Sequence, residues 1–212
     1  MKPLNFSALV CGYGVPKNIL ADKNYFSYLT QIFNFLFDRF ADSEGVIILS
    51  GGPTDCFSPF KRTEAQEMKH WFENKIGQLK KQNKISLEWK LRLENKSLST
   101  VENLLYSKKL LSGEIFVFAE KTRAARMKKL TKLILGPKAK NIFFDFDGSE
   151  TRYKTSAIKA RERQAEHIEL ACLKNPKLLN ERRKLVKEKL SLMRRLGPEE
   201  GLRRWMERAG QI

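Results

Sequence analysis

The sequence predicts an α/β protein: a three-layer sandwich on a mostly parallel sheet of about five strands, followed by a basic helical extension. Three observations carry that expectation. Short apolar runs alternate with amphipathic segments of helical period through residues 1–150. Residues 85–93 alternate strictly between apolar and polar side chains, the mark of a half-buried strand. Composition then changes near residues 148–152: the segment 151–212 contains neither Phe nor Asp. These features divide the chain into an α/β domain, 1–150, and a helical extension, 151–212.

The elements follow in order. Residues 4–11 are an apolar run ending at Gly12-Tyr13-Gly14, a buried strand and a tight turn. Residues 22–41 have helical period, with Phe26, Leu29, Phe33, Leu36, Phe37 and Phe40 on one face. Residues 45–50 form a β-branched strand stopped by Gly51-Gly52-Pro53. Residues 61–79 are helical, with Ala65, Met68, Phe72 and Ile76 on a stripe. The alternating strand carries Ile85, Leu87, Trp89, Leu91 and Leu93. A helix over 99–111, a strand over 115–119, a helix over 123–135 and a strand over 141–146 complete the domain. Strand–helix alternation at this spacing implies parallel strands covered on both faces. Right-handed crossovers then bring every strand-to-helix loop to one edge, where ligands of such sheets bind. In the extension, 155–173 reads as a polar helix and 178–196 carries a stripe of Leu178, Leu179, Leu185, Val186, Leu190, Met193 and Leu196. Gly197-Pro198 stops it before a short helix with Leu202, Trp205 and Met206.

Charge is unevenly spread. The 212 residues carry 41 Lys and Arg against 24 Asp and Glu, a net of +17. The extension alone holds 17 basic and 8 acidic residues, +9 over 62 positions. With 12 Gly, 7 Pro and 3 Cys, collagen-like, mucin-like and disulfide-scaffold classes are excluded. Cys11, Cys56 and Cys172 lie too far apart for a disulfide framework or a zinc site, so no metal is expected and a reducing compartment fits. The opening residues lack a signal-peptide pattern, and no stretch approaches the ~20 apolar residues of a membrane span. The expectation is a soluble, cytoplasmic protein with no transmembrane segment.

Five loop blocks carry the candidate chemistry. Gly12-Tyr13-Gly14 permits positive φ and close backbone approach to a ligand, or is a turn only. It is not a dinucleotide fingerprint, because Lys17 stands where the third glycine belongs. Ser50-Gly51-Gly52 repeats the arrangement after the second strand. Thr63-Glu64-Ala65-Gln66-Glu67-Met68 opens a helix, where acidic side chains suit the macrodipole. In the block 94–103, Ser99 and Glu102 form a capping box, while Glu94, Ser97, Thr100 and Asn103 recur every third residue and need another explanation. Arg123 and Arg126, three apart, can face one anion from a helix N-terminus, or belong to a solvated basic face continued by Lys128, Lys129 and Lys132.

In this order and on this kind of sheet, the blocks resemble the YdcF-like family (domain of unknown function 218), which includes SanA-like and ElyC-like envelope proteins. The likeness spans residues 5–146, and the 94–103 block is its most specific part. Arg123 stands where the family usually carries a histidine, and Met127 where it has a small residue. The resemblance implies a pocket at these positions, a link to cell-envelope biogenesis, and a nucleotide-like ligand such as S-adenosylmethionine. It implies no particular reaction. A second likeness points elsewhere: Phe143-Phe144-Asp145-Phe146-Asp147-Gly148 is similar to the nucleophile motif of haloacid-dehalogenase-type phosphatases, but no Asp follows to hold the magnesium. His70 and His167 lie among charges on helices with no triad partner in sight.

The reading is thus a domain that binds a small anionic or nucleotide-like ligand at the carboxyl edge of its sheet. Backbone N–H groups would come from Gly12, Tyr13, Gly14, Gly51 and Gly52, and polar side chains from Glu64, Glu94, Ser97, Thr100 and Asn103. Arg123 and Arg126 would neutralise the anion. The alternative is a non-catalytic scaffold whose working surface is the basic extension. That extension either packs its leucines on the sheet domain or binds nucleic acid or an anionic surface through Arg182, Arg183, Lys184, Lys187, Lys189, Arg194 and Arg195.

Overall fold

The computed structural model describes residues 5–82, 88–144 and 155–208. Five strands form one sheet in the order β3-β2-β1-β4-β5. They are β1 (Phe6–Cys11), β2 (Gly45–Ser50), β3 (Trp89–Glu94), β4 (Glu114–Glu120) and β5 (Lys140–Phe144). Every pairing is parallel. The helices between them are α1 (Lys23–Phe40), α2 (Glu64–Lys81), α3 (Thr100–Ser107) and α4 (Ala124–Ile134), with short 3-10 turns at Lys108–Leu110 and Lys121–Arg123. The expected three-layer α/β architecture is therefore the observed one. Part of the alternating strand (83–87), the Asp145–Gly148 motif and the boundary at 148–152 lie outside the described residues.

The topology decides where a ligand could sit. Walking from β1 to β2 to β3 moves the chain one way along the sheet, and right-handed crossovers put α1 and α2 on one face. The step from β3 to β4 reverses direction, so α3 and α4 cover the other. The period of two in each strand matches this split. Phe6, Ala8, Val10, Ile47, Leu49, Phe116 and Phe118 pack with α1 and α2, while Leu9, Val46, Ile48, Val117 and Ala119 pack with α3 and α4. The reversal opens a crevice beyond the carboxyl ends of β1 and β4.

The α1 face is unusually aromatic. Phe33, Trp71, Phe72 and Trp89 meet at centroid distances of 5.2–6.2 Å. The buried stripe of α1 runs through Tyr25, Tyr28, Leu29, Ile32, Phe33 and Leu36, one position round from the expected face, and leaves Phe26 partly exposed against Trp71. The reason is polar. The Tyr28 hydroxyl lies 3.1 Å from the Cys11 carbonyl and 3.0 Å from that of Phe118, so it can donate to either strand end at the crevice.

Helices α5 (Thr155–Lys174), α6 (Pro176–Leu196) and α7 (Pro198–Arg208) form the extension. Leu170, Leu173 and Leu179 pack against the α3–α4 core, and Gly201 lets α7 lie against the backbone of Met193. The expected leucine stripe of α6 is only partly covered: Leu190 is buried, whereas Leu178, Leu185 and Leu196 remain exposed, and Leu192, outside that stripe, is buried as well. No helix among the described residues is long and apolar enough to cross a membrane.

Candidate functional site

The loops at the crevice enclose a cavity of about 380 Å³. Of the residues expected there, Gly12, Tyr13, Gly14, Glu64, Ser97, Thr100, Asn103, Arg123 and Arg126 line it. Gly51, Gly52 and Glu94 do not, and the contacts of each explain why.

The glycines serve packing more than ligand approach. Gly12 N–H donates to the Ser50 carbonyl (2.8 Å) and Gly51 N–H to the Glu94 carbonyl (2.9 Å), continuing the sheet pattern past the strand ends. The expectation that these two amides face a ligand is thereby corrected. A Cβ on either would overlap the Glu64 side chain, and one on Gly52 would overlap the Ser97 carbonyl. Only Gly14 in this group has positive φ, 105°.

Glu64, the first residue of α2, is held where those glycines make room. Its carboxyl accepts from Thr54 Oγ1 at 2.5 Å and from the Gly14 N–H. Burial pushes its pKa above the ordinary 4.5, against the opposing pull of those donors and Arg123. The helix is capped at Thr63 by a reciprocal pair with Gln66. Glu94 organises the next loop instead of facing the cavity. One carboxylate oxygen accepts from Ser50 Oγ at 2.7 Å, the other from the N–H groups of Lys96 and Ser97 at 2.8 and 3.2 Å. That loop delivers Ser97, Thr100 and Asn103 to the cavity. Ser97 is 2% exposed and its Oγ has no hydrogen-bond partner, unusual for a buried hydroxyl. At the start of α3, Ser99 Oγ accepts from the Glu102 N–H, but the Glu102 carboxylate reaches to the Leu98 N–H (2.6 Å), so the cap is wider than a capping box.

The two arginines part company. Arg123 ends the 3-10 turn after β4 with its guanidinium 4.2 Å from the centroid of the Tyr13 ring. Tyr13 in turn meets Tyr28 edge to face at 4.9 Å. Arg126, expected to neutralise a ligand, is 6% exposed and is neutralised by the chain itself: Glu162 lies at 2.8 Å and Glu169 at 3.0 Å, both on α5.

The extension supplies residues that sequence reasoning did not place here: Glu169, Arg182, Val186, Lys189, Leu190 and Met193. Glu169 also pairs with Arg182 at 3.0 Å. Arg183 reaches Glu102 at 2.6 Å and the Lys96 carbonyl at 2.8 Å, and Arg194 donates to the carbonyls of Asp55 and Pro53 at 2.8 and 2.7 Å. Three arginines proposed for a nucleic-acid surface thus point inward. Lys189 has no ion pair among the described residues and sits 5.7 Å from the Trp205 ring centroid. Burial, with the Arg182 charge adding to it, lowers its pKa from the ordinary 10.5.

Two cysteines are near. Burial pushes the Cys11 thiol up to about 12, so it is no nucleophile near neutral pH. Cys56 lines the cavity, and burial raises its pKa as well. Among the described residues, no three His, Cys, Asp or Glu side chains converge as metal ligands would. No family model, curated protein or solved structure matches the chain.

Proposed function

We propose that the chain binds a small anionic, nucleotide-like ligand in the cavity at the carboxyl edge of its sheet. One observation carries this reading: Arg123 of the sheet domain and Lys189 of α6, which both line the cavity at the β1–β4 reversal, have no carboxylate within ion-pair distance among the described residues. A positive, partly desolvated concavity attracts anions, and the unpartnered Ser97 hydroxyl adds a donor. Tyr13, Leu98 and Met193 give the cavity apolar surface for a less polar part of the ligand. The resemblance to YdcF-like proteins supports the same loops and suggests S-adenosylmethionine among the compounds to try, along with a cell-envelope role. No reaction is assigned.

A thermal-shift panel of nucleotides, S-adenosylmethionine and sugar phosphates tests the reading. Ligand at 100 times its dissociation constant adds about 2.7 kcal/mol, enough for a clear rise in melting temperature. Ser97→Ala and Arg123→Met are expected to reduce the rise. Ser97→Ala should leave the unliganded protein as stable as before, because the hydroxyl it removes bonds nothing. An unchanged melting temperature across the panel would leave the scaffold reading in its place.

A further inference from the structure

The cavity is closed by two parts of the chain, and its charges do not balance across the joint. Four cations line it: Arg123 and Arg126 from the sheet domain, Arg182 and Lys189 from α6. Glu169 lies 3.0 Å from Arg126 and 3.0 Å from Arg182, and Glu162 completes the partners of Arg126. That leaves two cations without an ion pair among the described residues, Arg123 of the sheet domain and Lys189 of α6. The Glu64 carboxyl lines the same cavity, but its hydrogen bonds go to Thr54 and the Gly14 N–H, and it makes no ion pair with Arg123. Lys189 is largely buried, and burial together with the neighbouring Arg182 charge disfavours its cation. The extension is held to the sheet domain by Arg183 on Glu102, Arg194 on two loop carbonyls and the Arg126 network.

We infer that the anion site is bipartite: the extension supplies half of it through Lys189, the ligand is a phosphomonoester dianion, and its binding locks α5 and α6 onto the sheet domain. This rests on the reading of the cavity as an anion site and adds to it the ligand's class and its mechanical effect. Two cations without an ion pair match a dianion, whereas a single carboxylate would satisfy one of them. The groups presented are a guanidinium, an ammonium and a free hydroxyl, which are the donors phosphate oxygens accept from. An anion bonded to both Arg123 and Lys189 would bridge the sheet domain and α6, so docking of the extension and binding must favour each other.

Hydrogen exchange of the full-length chain, with and without adenosine monophosphate, tests this alongside inorganic phosphate and unphosphorylated adenosine. Protection over residues 160–196 is expected to rise at least tenfold with the monophosphate, to rise with phosphate at higher concentration, and not to respond to adenosine. Lys189→Met should raise protection of that segment in the absence of ligand and weaken monophosphate binding at least tenfold. Lys189→Gln gives the same loss of charge should the methionine variant fold poorly, and Lys187→Met, on the exposed side of α6, should change neither. If the monophosphate raises the melting temperature but protection does not move and Lys189→Met binds as tightly, the bipartite site is wrong and the anion site belongs to the sheet domain alone. Equal binding of adenosine overturns the phosphate class. If neither phosphate compound binds, the inference falls with the dianion; a melting-temperature rise with another anion would leave the cavity reading standing.

Discussion

Asp55 and Glu64 sit in one loop and the helix it feeds, yet their carboxyls are driven in opposite directions. Asp55 is fully buried; burial alone would raise its pKa, but bonds from Arg62 at 3.0 and 3.1 Å and from the Phe57 N–H bring it below the ordinary 3.8. Its contribution to stability is therefore present above the unfolded value and lost as pH falls through the folded one. Glu64 has the reverse sign: with a raised folded value, it costs stability as pH rises from 4.5 upward. Asp55→Asn is expected to lower stability by roughly 1.5–3 kcal/mol at neutral pH and to flatten the acid limb of the stability profile. Glu64→Gln should flatten the slope on the alkaline side of 4.5 instead. Urea midpoints measured across pH separate the two. If both variants kept the parent profile, the loop carboxyls would be water-exposed in solution and the packing described for them would be wrong.

At the scale of elements, the contact between α4 and α5 is a pairing of stripes. Arg126 and Lys129 lie three apart on α4, and Glu162, Glu166 and Glu169 follow the helical period on α5. Glu169→Ala would leave Arg182 without a carboxylate and Arg126 with one fewer, in a place where both are largely desolvated. Removing one partner of such a network costs about 3–5 kcal/mol, read as a shift in denaturant midpoint. A loss below 1 kcal/mol would mean the network is hydrated. The same pairing shows what was legible in the sequence. The helices of the sheet domain announced themselves through a period of 3.6, because each buries one face; β1, β2 and β4 did so as apolar runs, because both their faces are covered, and β3 through its alternation. The basic stripe on α4 was legible too, but its two readings, ligand-facing or solvated, omitted a third. Its partner lies some forty residues on, in a segment read as basic, where three glutamates at helical spacing were the available signal. The glycines misled for a related reason. A glycine can make room for the chain's own side chain as readily as for a ligand, and only the fold reveals that Glu64 fills the space at Gly12 and Gly51.

For the whole molecule, the extension acts as a wall of the cavity and a cover for the α3–α4 face. Cutting the chain after residue 154 would uncover the apolar surface now met by Leu170, Leu173 and Leu179 and expose Arg126 with its network gone. The shortened chain is expected to melt several degrees lower and to bind a hydrophobic dye. A shortened chain that melts like the parent would instead mark the extension as a loosely attached appendage. With Arg182, Arg183 and Arg194 pointing inward, Lys184, Lys187 and Arg195 are the exposed cations left of those considered for a nucleic-acid surface.

The placement of the three tryptophans has an optical consequence. Trp71 and Trp89 are buried in the aromatic layer beneath α1 and α2, on the face of the sheet away from the extension. Trp205 stands on α7 with the Lys189 ammonium above its ring. Replacing Trp205 with Phe yields a chain whose fluorescence follows the sheet domain alone, and the difference from the parent spectrum follows the extension. Because a cation over an indole perturbs its excited state, that difference signal reports where Lys189 is. The chain thus carries two intrinsic emission channels, one for each part of the molecule, and needs no attached dye to watch them separately.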